Sequence, residues 1–256
     1  MRRLFLNTDP LMPTYFPAFF AVAFLIGSIP TGYLVARSRG IDIRAIGSGN
    51  IGATNLGRVL GMRWFVACSI IDALKGLLPT LAYGLYANLL HLSVPESHAA
   101  LYSIAIMLAP MLGHVFCPWL KFKGGKGVAT GLGSMLGVFP VMTIAGILAL
   151  LVWLLVFTRT RIISMASVAA GFAIAPLTLA GVVLLARLNR QDPVAMMGIA
   201  WPYSLLGVGL ALFAMFTHWA NIKRLRAGTE PKYEPKYQTK AQLKRAGRMP
   251  ISGPQM

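Results

Sequence analysis

Long apolar runs separated by short basic connections constrain this chain more than any other feature. Residues 16–36, 64–90, 99–113, 162–186 and 198–219 approach or reach the ~20 apolar residues that an α-helix needs to cross a bilayer. Residues 128–157 would make one helix of about 45 Å, too long for an untilted span. Gly137 and Pro140 interrupt that stretch, so it is read as a short fourth helix followed by a fifth at 141–157. The expected fold is an all-α integral membrane protein with seven transmembrane helices. A soluble alternative fails on charge. Asp, Glu, Lys and Arg make up 12% of the chain, about half the share of a soluble domain. The 56% of hydrophobic residues excludes a disordered chain.

The few charges are unevenly placed. There are 24 Lys and Arg against 7 Asp and Glu. Nineteen of the basic residues fall in four segments: residues 37–63, 114–127, 158–161 and everything after Asn221. In a seven-span arrangement these segments share one side. Four basic residues lie on the other side, and Lys75 lies within a span. The positive-inside rule then puts the C-terminus in the cytoplasm and the N-terminus outside. Fusing the fourth and fifth helices would give six spans and an external basic tail, against that rule. The charge therefore follows topology, and no nucleic-acid partner is expected. Arg2 and Arg3 precede an apolar stretch, but Asp9, Pro10, Pro13 and Pro17 break it and no cleavage pattern follows. Residues 1–15 are thus a lead-in to the first span rather than a signal peptide. Residues 16–221 form the membrane domain. Residues 222–256 are expected to be a disordered basic tail near the anionic inner leaflet. Cys68 and Cys117 suggest no disulfide framework and read as apolar fillers.

Two cytoplasmic loops, 37–63 and 114–127, carry candidate chemistry. The first contains Gly47-Ser48-Gly49-Asn50-Ile51-Gly52-Ala53-Thr54-Asn55-Leu56-Gly57-Arg58. Its glycines admit close approach of the backbone to a ligand. Ser48, Asn50, Thr54 and Asn55 offer neutral hydrogen-bonding groups, and Arg58 offers a fork for phosphate or carboxylate. The second contains Lys123-Gly124-Gly125-Lys126-Gly127 just before an apolar helix, with Thr130 in its first turn. Backbone donors, a helix N-terminus and a lysine together suit a phosphate. The spacing is not that of a Walker A loop. The plainer alternative for each loop is a Gly-rich turn that satisfies topology. His218 and Asn221 stand i, i+3 at the end of the last span and share a helix face. Asp72 and Lys75, also i, i+3, read as an ion pair within the second span, with support of the active-site floor as the alternative. Pro30, with Gly27, Ser28 and Gly32, is expected to bend the first span.

Taken in order, these residues resemble one family. Gly27-Ser28-Ile29-Pro30, SGNIGATN with Arg58, Asp72-Ala73-Leu74-Lys75-Gly76, GH-x-F…FKGGKGVAT and His218-x-x-Asn221-Ile222 match the bacterial acyl-phosphate:glycerol-3-phosphate acyltransferases, known as PlsY, across residues 16–230. One departure is visible: the family usually has Pro directly after Phe116, where this chain has Cys117 followed by Pro118. The resemblance implies a multi-pass enzyme of the bacterial inner membrane. It would transfer a fatty acyl group from acyl-phosphate to the 1-hydroxyl of glycerol 3-phosphate, without metal or cofactor. Membrane lipids, the two substrates and the enzyme that makes acyl-phosphate are the implied partners. Lys123, Gly124, Gly125, Lys126, Gly127 and Thr130 would cradle the acyl-phosphate headgroup. Ser48, Asn50, Thr54, Asn55 and Arg58 would bind glycerol 3-phosphate, with His218 and Asn221 completing that pocket. Ser48, Arg58, Lys126 and His218 are the candidate catalytic residues. The hydroxyl proton would pass to a substrate phosphate oxygen, or to His218 or His114 as general base. A covalent route through Ser48 is a competing alternative. Two rival classes remain at this point. One is a transporter of an anionic phosphate compound, which would need broken helices in corresponding halves and an internal repeat. The other is a structural subunit whose charges only set topology.

Overall fold

The computed structural model describes residues 12–90, 92, 95 and 97–233. Among these residues the fold is all α-helical, with two short 3-10 turns and no strand. The helices are α1 (Met12–Ser28), α2 (Thr31–Arg37), α3 (Ala53–Leu60), α4 (Met62–Tyr86), α5 (Ser97–Val115), α6 (Val128–Gly137), α7 (Val141–Thr160), α8 (Ile163–Leu188), α9 (Pro193–Ile199), α10 (Trp201–Thr217) and α11 (Trp219–Arg226). Their outward faces carry Leu, Ile, Val and Phe, as lipid requires. Residues 1–11 of the expected lead-in and 234–256 of the expected tail lie outside the described residues.

Five helical segments are long and apolar enough to cross a membrane: Thr14–Arg37, Met62–Tyr86, Ser97–Leu120, Val141–Thr160 and Ile163–Leu188. The expected span at 198–219 is instead part of a broken pair, α9 and α10, bent by 66°. Asp192 caps α9 by accepting from the Val194 amide, and Pro202 sits in the first turn of α10, so each helix starts afresh. Residues 187–197, expected as a plain connection, therefore supply most of α9. The predicted break between the fourth and fifth helices falls between α6 and α7. With ten residues, α6 is about 15 Å long, half of a hydrocarbon core.

Pro30 separates α1 from α2, as its fixed φ and missing N–H dictate. Lys75 donates to the Ile29 carbonyl at this break (2.6 Å) and pairs with Asp72 (2.7 Å). The expected ion pair thus also ties α4 to the bend in the first span. The densest helix contact is between α4 and α6. Gly133 lies against the Ala73 backbone and Gly76 against Thr130, where a Cβ on either glycine would overlap its neighbour. Small residues let two backbones approach in lipid, where apolar side chains gain nothing by leaving the solvent.

Two segments depart from the expected outline. Loop 37–63 contains α3, which buries Leu56, Val59 and Leu60 against α4. The chain also stays folded past Asn221. Helix α11 runs to Arg226, and Glu230 and Tyr233 are buried. Residues 222–233 thus belong to the packed body, not to a tail.

Candidate active site

One cavity of about 340 Å³ opens among α3, α4, α5, α6, α7, α8 and α10. Two of the basic segments, loop 37–63 and the loop before α6, line its head, together with His218, Asn221 and Glu230. Below the head, the lining is largely apolar, with Ser69, Asp72 and Ser167 as the polar exceptions.

The first loop is built around Asn55, which is 1% exposed. Its Oδ1 accepts from the Ser48 amide (3.1 Å), and its Nδ2 faces the carbonyls of Ile43, Ile46 and Asn50 at 2.9–3.1 Å. The Asn50 side chain accepts from the Gly52 amide (2.9 Å) at the start of α3. Both asparagines line the cavity, but the Asn55 amide is occupied by the loop itself. Its position makes it the scaffold that presents Ser48, Asn50 and Thr54. Arg58, one turn into α3, lines the same wall. Burial lowers the pKa of its guanidinium, and the nearby Glu230 charge works against that shift.

The second loop differs from expectation. Gly124 and Gly125 do not offer free donors, because their amides bond the carbonyls of Val115 and His114 (3.0 Å each). A Cβ on Gly125 would strike the His114 ring, so this glycine is required by packing. Lys123 is exposed and, with Gly124, Gly125 and Thr130, does not line the cavity. Thr130 is fully buried and meets His114 Nδ1 at 3.2 Å. Lys126, Gly127, Val128 and Ala129 do line it. The start of α6, whose first amides have no partner within the helix, thus lies at the cavity where the glycine amides do not. Cys117, at the departure from the family pattern, donates its thiol to the Ser28 carbonyl (3.1 Å) and ties this loop to the end of α1.

Lys126 reaches across to Asn221 Oδ1 at 2.5 Å. Burial pulls its pKa down to about 8, and the Glu230 carboxylate partly opposes that. His218 is 2% exposed and lines the cavity. Burial, then Lys126, lowers its pKa to about 4, so the ring is neutral at physiological pH. Its Nδ1 is 3.0 Å from the Ala214 carbonyl, which can only accept. The proton therefore sits on Nδ1, and Nε2 is left as an acceptor.

Glu230 escaped sequence reasoning. Its carboxylate accepts from Ser164 Oγ (2.7 Å), Asn221 Nδ2 (2.6 Å) and Arg224 Nε (2.7 Å). Burial alone would raise its pKa, but these three donors outweigh it and hold the carboxylate below the usual range. Tyr233 follows as a strap. Its ring lies 5.3 Å from Phe65 of α4 and 6.2 Å from Phe157 of α7, and its amide donates to the Arg161 carbonyl. Pro231 accepts from Arg58 at 3.5 Å. The available signal was an acidic residue six positions after Arg224, in a stretch where basic residues outnumber acids.

Among the described residues the ion pairs are Asp42–Arg44, Asp72–Lys75 and Glu230–Arg224. Arg58 and Lys126 therefore face the cavity with no carboxylate within 4 Å. Glu230 lines the same cavity but is paired with Arg224, so both cations stay unpaired and the head can receive anions.

Known proteins agree with that chemistry. The family profile described as glycerol-3-phosphate acyltransferase matches residues 17–228. A glycerol-3-phosphate acyltransferase of Geobacter sulfurreducens is 43% identical over 84% of this chain and 95% of its own length. That of Geotalea daltonii is 41% identical over 81% and 92%. The crystal structure of PlsY (YgiH), an integral membrane glycerol 3-phosphate acyltransferase in its glycerol 3-phosphate form, superposes with a TM-score of 0.67. It shares 30% identity over 86% of this chain and 96% of that one. A lysophosphatidic acid form of the same protein gives 0.65. A transporter or a structural subunit is thereby set aside: this integral membrane chain belongs to the glycerol-3-phosphate acyltransferase family.

Proposed function

We propose that this acyltransferase takes its acyl group from acyl-phosphate and delivers it to the 1-hydroxyl of sn-glycerol 3-phosphate, at the cytoplasmic face of a bacterial inner membrane. The observation that carries this reading is the pair Arg58 and Lys126, neither in an ion pair, at the head of a largely apolar cavity. Two phosphates suit the head and one acyl chain suits the body.

Arg58, Ser48, Asn50 and Thr54 hold glycerol 3-phosphate through charge and hydrogen bonds. Lys126 and the first turn of α6 hold the acyl-phosphate headgroup and stabilise the departing phosphate. His218 accepts a hydrogen bond from the attacking hydroxyl through Nε2 and orients it. The hydroxyl oxygen bonds the acyl carbon, the bond from that carbon to the phosphate oxygen breaks, and the hydroxyl proton leaves with the phosphate. The products are lysophosphatidic acid and inorganic phosphate. Acyl-phosphate is already activated, so positioning and charge stabilisation suffice. Ser48 has no histidine or carboxylate bonded to its side chain among the described hydrogen bonds, which favours direct transfer over a covalent intermediate.

The sidedness follows from the same head. Basic loops 37–63 and 114–127 both line it, which favours a cytoplasmic placement and an external N-terminus. Seven crossings result if α6 counts as a short one and α9–α10 as a broken one. Purified protein supplied with palmitoyl-phosphate and glycerol 3-phosphate should form lysophosphatidic acid, and palmitoyl-CoA should not replace the donor. Folded protein that yields no product from either donor would sink the enzyme reading.

A further inference from the structure

The apolar body of the cavity ends in a cluster of residues from α5, α6, α8 and α10. On α8 the lining stripe starts at Ile163 and stops at Ile174; on α10 it starts beside His218 and stops at Leu210. On α6 it runs from Gly127 to Met135, and on α5 from His114 to Met111. At 1.5 Å per residue, the stripes on α6, α8 and α10 give a depth of about 12–16 Å below the polar head. Met111, Met135 and Leu210 are each buried, with Ile174 packed against them. Behind them Val141, Met142 and Val182 are fully buried, so the cavity does not continue. The depth matches one leaflet of the ~30 Å hydrocarbon core, which is the reach of one lipid chain.

We infer that Met135, Leu210 and Ile174, with Met111, form an end wall that sets the upper limit of acyl-chain length. The inference rests on the acyl-phosphate reading and names its substrate more narrowly. Two of the four wall residues are methionines, whose unbranched side chains adapt to irregular space. The limit is therefore a graded preference rather than a sharp cutoff. Ala170 lies part-way down the α8 stripe and leaves the path open by being small. Gly171 beside it is confined by Ala214 of α10, so the channel is already narrow at this level. A larger residue at 170 would raise a second floor nearer the head.

The test is competition. Native protein, Met135→Ala and Ala170→Leu are each given glycerol 3-phosphate with an equimolar mixture of acyl-phosphates of 12 to 20 carbons. The lysophosphatidic acids are counted by mass spectrometry. Met135→Ala should move the product distribution toward longer chains, by up to about fourfold per additional methylene accommodated. Ala170→Leu should move it toward shorter chains by a similar factor. The KM for glycerol 3-phosphate should stay near native in both, because neither residue touches the head. Should Met135→Ala fail to fold, Leu210→Val and Ile174→Val probe the same wall with smaller changes. A shift in the stated direction by any active variant supports the wall. Active wall and Ala170 variants that all keep the native distribution overturn it. Native protein that forms no lysophosphatidic acid from any chain sinks the function reading instead, so the two failures are distinguishable.

Discussion

Glu230 fixes which way the Asn221 amide faces. A carboxylate only accepts and an ammonium only donates, so Nδ2 must point at Glu230 (2.6 Å) and Oδ1 at Lys126 (2.5 Å). The lysine is thereby aimed through an asparagine, without forming an ion pair that would occupy its charge. Glu230→Gln can donate to Asn221 instead, which would turn the amide and set a donor against Lys126. We expect kcat/KM to fall about 10- to 100-fold, the scale of one hydrogen bond to a charged group. Glu230→Asp should recover part of that loss. The pH profile separates positioning from simple destabilisation. Removing the negative charge should lower the Lys126 pKa further, so the alkaline limb of the Gln variant should begin at a lower pH than in native protein.

That limb has a defined place in the native enzyme. Lys126 has a pKa pulled down to about 8, so it is charged below that pH and neutral above it. With phosphate-bearing substrates, kcat/KM should fall with unit slope as pH rises through about 8. Lys126→Arg keeps its charge at any of these pH values and should lack this limb, even with a lower maximum. Lys126→Ala should lose about 10²–10³ in kcat/KM, the scale of removing one group that stabilises developing charge. Titrating kcat/KM from pH 6 to 10 in all three forms checks both points.

His218 is the complementary case. Its pKa near 4 keeps the ring neutral from pH 5 to 8, so protonation of this residue should leave activity unchanged over that range. If the substrate phosphate takes the proton, His218 serves only to orient the hydroxyl. His218→Gln, which keeps an acceptor, should then stay within about tenfold of native kcat, well short of the 10²–10⁴ expected when a general base is lost. A loss of that larger size in both His218→Gln and His218→Ala would make His218 the base.

The legible parts of this chain are those where one local signal decides. Apolar runs located α1, α4, α5, α7 and α8, because a lipid-facing helix must be apolar on most sides. Pro30 and the Gly137–Pro140 interruption marked real breaks, because proline's constraints act within a turn. Loop motifs also led to Ser48, Arg58, Lys126, His218 and Asn221, which do share one cavity. Reading Gly124 and Gly125 as phosphate donors went wrong for a physical reason. Glycine answers equally to a ligand and to a close neighbour, and here the neighbour is His114. Glu230 and Tyr233 were hidden because their value depends on Ser164, Asn221, Phe65 and Phe157, all distant in sequence. The short amphipathic α3 was missed because eight residues amid polar loop signals show little periodicity.

The buried end of the chain gives the last prediction. Tyr233 is 5% exposed and sits where Gly57 of α3 leaves room: a Cβ on Gly57 would lie about as close to the Tyr233 hydroxyl as to Phe65. The ring also lies against Phe65 and Phe157, so it joins the α3–α4 side of the cavity to the α7 side. Tyr233→Ala removes an aromatic side chain from a packed site, a change that typically costs about 3–5 kcal/mol. Tyr233→Phe keeps the ring and should be nearly neutral, because the hydroxyl's described hydrogen bond is a weak one to the Met62 sulfur (4.0 Å). Gly57→Ala should resemble Tyr233→Ala by wedging the ring out. Thermal unfolding in a fixed detergent should therefore rank native and Tyr233→Phe together, above Gly57→Ala and Tyr233→Ala. Because the strap carries Glu230 and Pro231, both destabilised variants should also raise the KM for glycerol 3-phosphate. Equal melting temperatures for Tyr233→Ala and native protein would show that the strap is not held by this ring.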